Sequence, residues 1–566
     1  MERTGKHPMK RLIALSLALA SSTSLVYAAG NESVIGQIGA QNNAAVGQAG
    51  GNNKQGTLQI GSKNYAATSQ SGALANRTNE SGVIQIGREN GAVVGQTGGN
   101  NRQGTLQVGV KNSAATSQKG STTSATKTNT SATAQFGANN GSIVGQTEGN
   151  NNQTTLQVGR GNNALTGQTT NKTGGKNDSG VAQFGVGNNA VVSQTSQAND
   201  KVGGNNNSAI VQIGRGNQAA TGQNADGGQG KNGVNNNSAV FQAGVENYAS
   251  TSQIGERSGA ATTNGSFTGQ FGYANGSIVG QDGGNNAQGT LQIGARNWST
   301  TGQYATAYGA TNDALTLQVG RDNNSLTSQR TTGSAGTSSF LNPAVAGYGG
   351  VNTAATMQFG SGNQSVTGQD STGVGGKLFS LNWAGGVDNS AATLQAGRGN
   401  ISTTSQSGAR PIVPAGSVSN DSFTAQFGVQ NQALVGQVNG ANAQATMQAG
   451  VKNVAVTSQS NDPKSLSQNA AATIQIGARN NALTSQVANP LSAGGNGSLI
   501  MQVGTDNQAV VGQTGMQSMI GANLQQTVQV GVGNYASISQ QSNSVGINNS
   551  TVAQFGYKNT AVVSQK

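Results

Sequence analysis

The chain has 566 residues, of which 88 are Gly, 4% are aromatic and 8% are charged. This lies far from average usage and speaks against a conventional large apolar core. The formal net charge is +12, there is no Cys, and the only His is His7. Disulfide frameworks, thiolate zinc sites and Ser-His-Asp or Cys-His catalysis therefore lack their residues.

Met1 to Arg11 is basic, Leu12 to Ala20 is mostly apolar, and Val26-Tyr27-Ala28 offers small residues for cleavage. Residues 1–28 read as a secretory signal peptide, too short in its apolar part to span a membrane. Cleavage after Ala28 leaves 26 basic and 17 acidic residues, net +9, and no His. No later segment has the length and apolarity of a membrane-spanning helix, which makes the expected location extracellular.

From Asn31 onward one unit recurs twenty times. Asn53-Lys-Gln-Gly-Thr-Leu-Gln59-Ile-Gly61-Ser-Lys-Asn64-Tyr-Ala-Ala-Thr-Ser-Gln70 is typical. It reads Asn-x5-Gln, a short arc through Gly, then Asn-x5-Gln again. So strict a period indicates a solenoid or array. Within each Asn-x5-Gln segment, alternate residues share one face of a strand. That face reads Asn, then Ala, Ser or Gln, then Val, Thr or Ile, then Gln, with no charge, proline or aromatic. It is an inward face, and its small side chains imply two closely apposed sheets. Spacings of 6 and 5 do not trace a helical face, and the Gly, Asn, Thr and Val content disfavours helix.

The predicted fold is an all-β parallel solenoid of about twenty two-stranded rungs over residues 29–566. The first arc, Gln-x-Gly-x-x-Asn, never changes length. Its Gly (Gly39, Gly61, Gly87, Gly531, Gly556 and their equivalents) permits positive φ at a sharp corner. The second arc varies, so every insertion falls on one edge. The longest are 330–351, 370–388 and 407–419. Pro343, Pro411, Pro414, Pro463 and Pro490 all lie in insertions, as expected if the rungs are strands, because proline cannot donate to a ladder.

The chemistry on offer is stacking. Each rung carries four inward amides: Asn31, Gln37, Asn42 and Gln48 in the first, Asn53, Gln59, Asn64 and Gln70 in the second, Asn79, Gln85, Asn90 and Gln96 in the third. At the other end stand Asn523, Gln529, Asn534 and Gln540, then Asn548, Gln554, Asn559 and Gln565. In register at roughly 4.8 Å, each amide can donate to its equivalent on one side and accept from the other. Such ladders belong to cross-β assemblies. Gln55, Gln103, Gln153, Gln288, Gln444 and Gln525 add an inward Gln at the second position, for which the sequence gives no reason. Outward residues beside the first-strand Gln, such as Leu58, Ile60, Leu106 and Val108, would stack into an apolar stripe of the kind that marks contacts. The first arcs carry Lys63, Arg88, Lys111, Arg160, Arg215, Arg296, Arg321, Arg398, Lys452, Arg479 and Lys558, opposed there only by Glu89, Glu246, Asp322 and Asp506. That edge reads either as a binding strip for anionic polymers, DNA or acidic polysaccharide, or as a solvated face that maintains solubility.

Ser33-Val-Ile-Gly-Gln37-Ile-Gly39-Ala-Gln-Asn42-Asn-Ala44-Ala-Val-Gly-Gln48 resembles a curlin repeat, Gln-x-Gly-x-x-Asn-x-Ala-x3-Gln. The resemblance extends from Asn31 to Gln565. It implies a bacterial extracellular functional amyloid of the biofilm matrix, a homopolymer served by secretion and nucleation partners, with no cofactor and no enzymatic role. Curlin subunits usually have about five tightly spaced repeats, and a Gly-rich targeting segment that is not found between residues 28 and 31. A monomeric secreted β-solenoid adhesin is the competing expectation.

Overall fold

The computed structural model describes residues 30–72, 77–121, 127–171, 175–198, 204–227, 234–255, 262–306, 310–334, 350–378, 381–385, 387–409, 418–439, 441–462, 467–489, 494–515, 521–542 and 546–566. The signal-peptide segment, the five insertion prolines and most of insertions 330–351 and 407–419 lie outside these residues.

Alternating small and β-branched residues give strands throughout, and no helix occurs among the described residues. In the first repeat, β1 (Glu32–Ala40) is followed across the constant arc by β2 (Asn43–Ala49). The second repeat supplies β3 (Asn52–Ser62) and β4 (Tyr65–Ser71). β1 pairs β3 in parallel with Gln37 opposite Gln59 and Gly39 opposite Gly61. β2 pairs β4 in parallel with Gln48 opposite Gln70. Consecutive strands of the chain therefore go to different sheets, and each sheet grows by one parallel strand per repeat. This is a parallel β-solenoid.

The chain divides into two compact units, 1–274 and 275–566. In the first, the odd strands from β1 to Thr262–Tyr273 form one parallel sheet, and the even strands from β2 to Tyr248–Gly255 form the other. In the second, one sheet runs from Asn285–Ala295 to Gly546–Tyr557 and its counterpart from Gly276–Gly283 to Thr560–Gln565. Within each unit the register keeps Gln on Gln, as at Gln107–Gln135 and Gln475–Gln502. Parallel pairing in one register is what a buried face demands, since a one-residue slip would turn every inward side chain outward.

The core between the two sheets is thin and mostly polar. Its apolar part consists of Ala and β-branched residues, such as Val83, Ala92 and Val94 in the first unit and Ile500, Val511 and Ile538 in the second. Among the largest fully buried side chains, Gln outnumbers Ile. Insertion 370–388 is more ordered than an irregular loop. Strand Gln364–Leu378 runs into it and pairs antiparallel with Leu381–Gly385, a hairpin leaving the rung.

Candidate self-assembly surface

Within each unit the columns of amides form side-chain ladders, and the ladders have direction. Gln37 Nε2 donates to Gln59 Oε1 at 2.7 Å, and Gln59 Nε2 to Gln85 Oε1 at 2.8 Å. Gln48 donates to Gln70 and Gln70 to Gln96 in the same sense. Both glutamine ladders thus donate toward the chain's C-terminus. The asparagine ladders run the other way. Asn53 Nδ2 donates back to Asn31 Oδ1, and Asn64 Nδ2 back to Asn42 Oδ1. The second unit has the same polarity, with Gln502 donating to Gln529 and Asn523 to Asn496.

Backbone carbonyls fix the two senses. Gln85 Nε2 also donates to the carbonyls of Tyr65 and Asn90, which lie at the start of second-sheet strands. The arc asparagine ties the corner instead. Asn90 Nδ2 reaches the carbonyl of Gly109, the corner glycine one rung on, and Asn90 N–H donates to Asn64 Oδ1. Gly39, Gly61, Gly87, Gly531 and Gly556 have φ between 108° and 132°, a region nearly closed to other residues. A second left-handed residue precedes each arc Asn, and it is often not Gly. Lys63, Lys111, Arg296, Lys452, Arg479 and Lys558 have φ between 52° and 57°.

The interior amides are fully enclosed: Asn53 and Gln59 are 0% exposed, Asn64 and Gln70 1%. Those of the outer rungs, apart from the buried Gln554, are not. Asn31 and Gln37 are exposed, and Asn42, Gln48, Asn548, Asn559 and Gln565 half-buried. Inward Ile35 is 45% exposed, where its third-repeat equivalent Val83 is 1%. No described residue donates to Gln37 Oε1 or Gln48 Oε1.

The additional inward glutamines have specific partners. Ser81 Oγ of the preceding rung donates to Gln103 Oε1 at 3.0 Å, and Gln103 Nε2 donates to Thr105 Oγ1. Ser33–Gln55–Thr57, Ser131–Gln153–Thr155, Ser422–Gln444–Thr446 and Ser498–Gln525–Thr527 repeat the arrangement. Both partners were present in the sequence, a Ser one repeat earlier and a Thr two residues later. Gln103→Leu orphans both hydroxyls and is expected to cost about 1–3 kcal/mol. The urea midpoint of the variant checks this.

On the arc edge, acids are clasped by neighbouring cations. Arg88 and Lys111 flank Glu89 at 2.8 and 3.5 Å. Arg296 and Arg321 flank Asp322, and Arg479 pairs with Asp506 at 2.7 Å. Lys63, Arg160, Arg215, Arg398, Lys452 and Lys558 form no ion pair with a described residue, and Lys558 instead lies over the Tyr557 ring. The outward stripe is exposed at Ile38, Ile86, Ile293, Phe359, Phe427 and Ile476 and closer packed at other positions. Leu58, Ile60, Leu106 and Val108 are half-buried because stacked neighbours cover each other.

Hydrogen bonding from Arg88, with Lys111 adding to it, holds the Glu89 carboxyl below its ordinary value. Arg479 does the same for Asp506. Burial raises Asp282 and Asp313. The lowered pair contributes stability that is present above the unfolded value and lost as pH falls through the folded one. The raised pair contributes below the unfolded value and loses it as pH rises through the folded one. The two effects oppose each other, and the ladders contain no titratable group. The β-sheet circular dichroism signal is therefore expected to be unchanged from pH 7 to about pH 3, through the carboxylate range.

Comparison with models of known protein families and with curated proteins gives no match.

Proposed function

We propose that the chain is the structural subunit of an extracellular, curli-like functional amyloid, which self-assembles by end-to-end stacking of rungs. The observation that supports this most is the polarity of the four ladders. The rung at Asn31–Gln48 turns glutamine acceptors and asparagine donors outward. The rung at Asn548–Gln565 turns glutamine donors and asparagine acceptors outward. Stacked tail to head, two copies continue all four ladders and both backbone sheets. Stacked head to head, the facing strands run antiparallel, so neither the parallel sheets nor the like-on-like ladders continue. Open strand edges template such pairing, and each satisfied side-chain bond adds about 0.5–1.5 kcal/mol. Secretion and nucleation partners of a curli-type system, and a biofilm matrix as destination, belong to the same reading.

Thioflavin-T kinetics on the chain beginning at Ala29 test it. A lag, seeded growth and fibre reflections near 4.7 and 10 Å are expected. A flat trace, with discrete particles at high concentration, would overturn polymerisation in favour of a monomeric β-solenoid adhesin. The six arc cations without an ion pair favour a second role, binding of anionic matrix polymers such as DNA or acidic polysaccharide. DNA retention that survives about 0.15 M salt supports that role. Retention only near zero salt returns the edge to a solubility device.

A further inference from the structure

In the second unit, one sheet face is unlike the rest. It consists of seven parallel strands: Val351–Ser361, Val387–Arg398, Val418–Val429, Asn442–Val451, Asn469–Ala478, Asn496–Thr505 and Gly521–Val532. Between the ladder Asn and the corner Gly of these strands, Asp421 is the only charged residue. The corresponding stretches of the first unit carry Glu32, Lys54, Glu80, Arg102 and Asp178.

The face is not flat. A recess of about 910 Å³ opens over Ala443, Ala445, Ala470 and Ala472. Phe423 walls it on one side, 46% exposed, and Leu499 on the other. The register places Ala392, Phe423, Ala445, Ala472 and Leu499 in one outward column, one per rung. The size order is small, large, small, small, large. Reversed about Ala445, it becomes its own complement: Phe423 faces Ala472, Ala392 faces Leu499, and Ala445 faces itself.

We infer that this face binds the same face of a second copy, through a two-fold axis that passes at Ala445 along the strand direction. The two columns then run antiparallel. Parallel pairing in register would set Phe423 against Phe423 and leave the alanines facing a void. Such an isologous contact needs one self-complementary patch. Seven strands about 4.8 Å apart, each using about eight residues at 3.3 Å, give roughly 900 Å² of face. A stable standard interface needs about 800 Å² per partner. Interdigitation of outward side chains between facing sheets is the geometry of a dry β-interface. This contact is lateral and does not depend on end-to-end stacking.

Because the chain has no Cys, Ala445→Cys places a single thiol at the proposed axis of the full chain. Ser458→Cys, exposed on the opposite sheet, is the control. A short bis-maleimide is expected to give covalent dimer at Ala445→Cys at least about tenfold above the control, a coupling of about 1.4 kcal/mol or more. Adding Ala472→Phe fills the hole and should reduce the dimer to the control level, although it makes the face more apolar. Adding Phe423→Ala to that variant exchanges knob and hole and should restore the dimer. Equal cross-linking at the two thiols, or no loss with Ala472→Phe, would overturn the inference. Cross-linking without seeded growth would remove end-to-end stacking and leave the lateral contact standing.

Discussion

Replacing Gly109 by Ala is expected to destabilise the first unit by about 4 kcal/mol or more, among the largest single-residue effects. Two causes combine at this corner. Gly109 has φ 129°, where an L side chain is strained. A Cβ there would also run into the backbone carbonyl of Gly137 on the next rung. That carbonyl cannot retreat freely, because it accepts from Asn112 Nδ2 at 3.0 Å. Moving it breaks an arc bond and disturbs the Asn ladder through Asn112 and Asn90. Gly95→Ala is the control. Gly95 lies in strand Gly91–Thr97, with open space where its Cβ would be. It should be neutral or stabilise slightly, since it narrows the unfolded ensemble. Urea unfolding of the two variants measures the difference. Similar midpoints would mean that the corner is not a close-approach site.

How far this corner could be read in advance shows what sequence carries and what it omits. Strand positions and inward faces were legible because period-two alternation and the fixed six-residue Asn-to-Gln spacing leave one arrangement that buries all four amides. The corner Gly was legible for the same reason, being the one residue type that never varies there. The second left-handed position was missed, although Gly161, Gly187 and Gly216 stand where other repeats place Lys63 or Lys111, and that interchange was its signal. The direction of the ladders was not legible. An amide ladder has the same composition whichever way it points, and the choice is made by backbone carbonyls such as Tyr65 and Asn90, which become neighbours only after folding. The hairpin of Gln364–Leu378 with Leu381–Gly385 was hidden by the absence of any repeat pattern in that insertion. The self-complementary size order around Ala445 was also invisible along the chain, because its members are 22 to 31 residues apart and align only through the register.

Ladder direction has a consequence that pH can expose. Gln107 is 0% exposed. Its Nε2 donates to the Gly91 carbonyl at 2.9 Å and to Gln135 Oε1 at 2.8 Å. Its Oε1 accepts from Gln85 Nε2 at 2.8 Å. Gln107→Glu keeps the shape and the acceptor. It replaces the donating nitrogen with an oxygen facing two other oxygens, and it buries a charge without a counter-ion. Breaking a buried charge arrangement in this way costs about 3–5 kcal/mol. The carboxyl is expected to relieve the cost by taking up a proton, so burial raises its folded pKa above the unfolded one. A raised carboxyl pKa gives stability at low pH that is lost as pH rises through the folded value. The variant should therefore unfold early in urea at pH 7 and recover much of its stability at about pH 4, near the ordinary Glu value, where one of the two donated bonds is restored. Gln107→Ala also loses both donated bonds, but it has no titratable group. Its cost, about 1–3 kcal/mol for the orphaned acceptor plus a cavity, should not change with pH. In a solenoid each rung contacts only its neighbours, so faster hydrogen exchange in the glutamate variant should centre on strands Thr78–Arg88, Asn100–Val110 and Thr128–Ala138. Parallel pH profiles for the two variants would mean that the Gln107 side chain is not enclosed against the Gly91 and Gln135 oxygens, and the buried-ladder argument for rung stacking would fall with it.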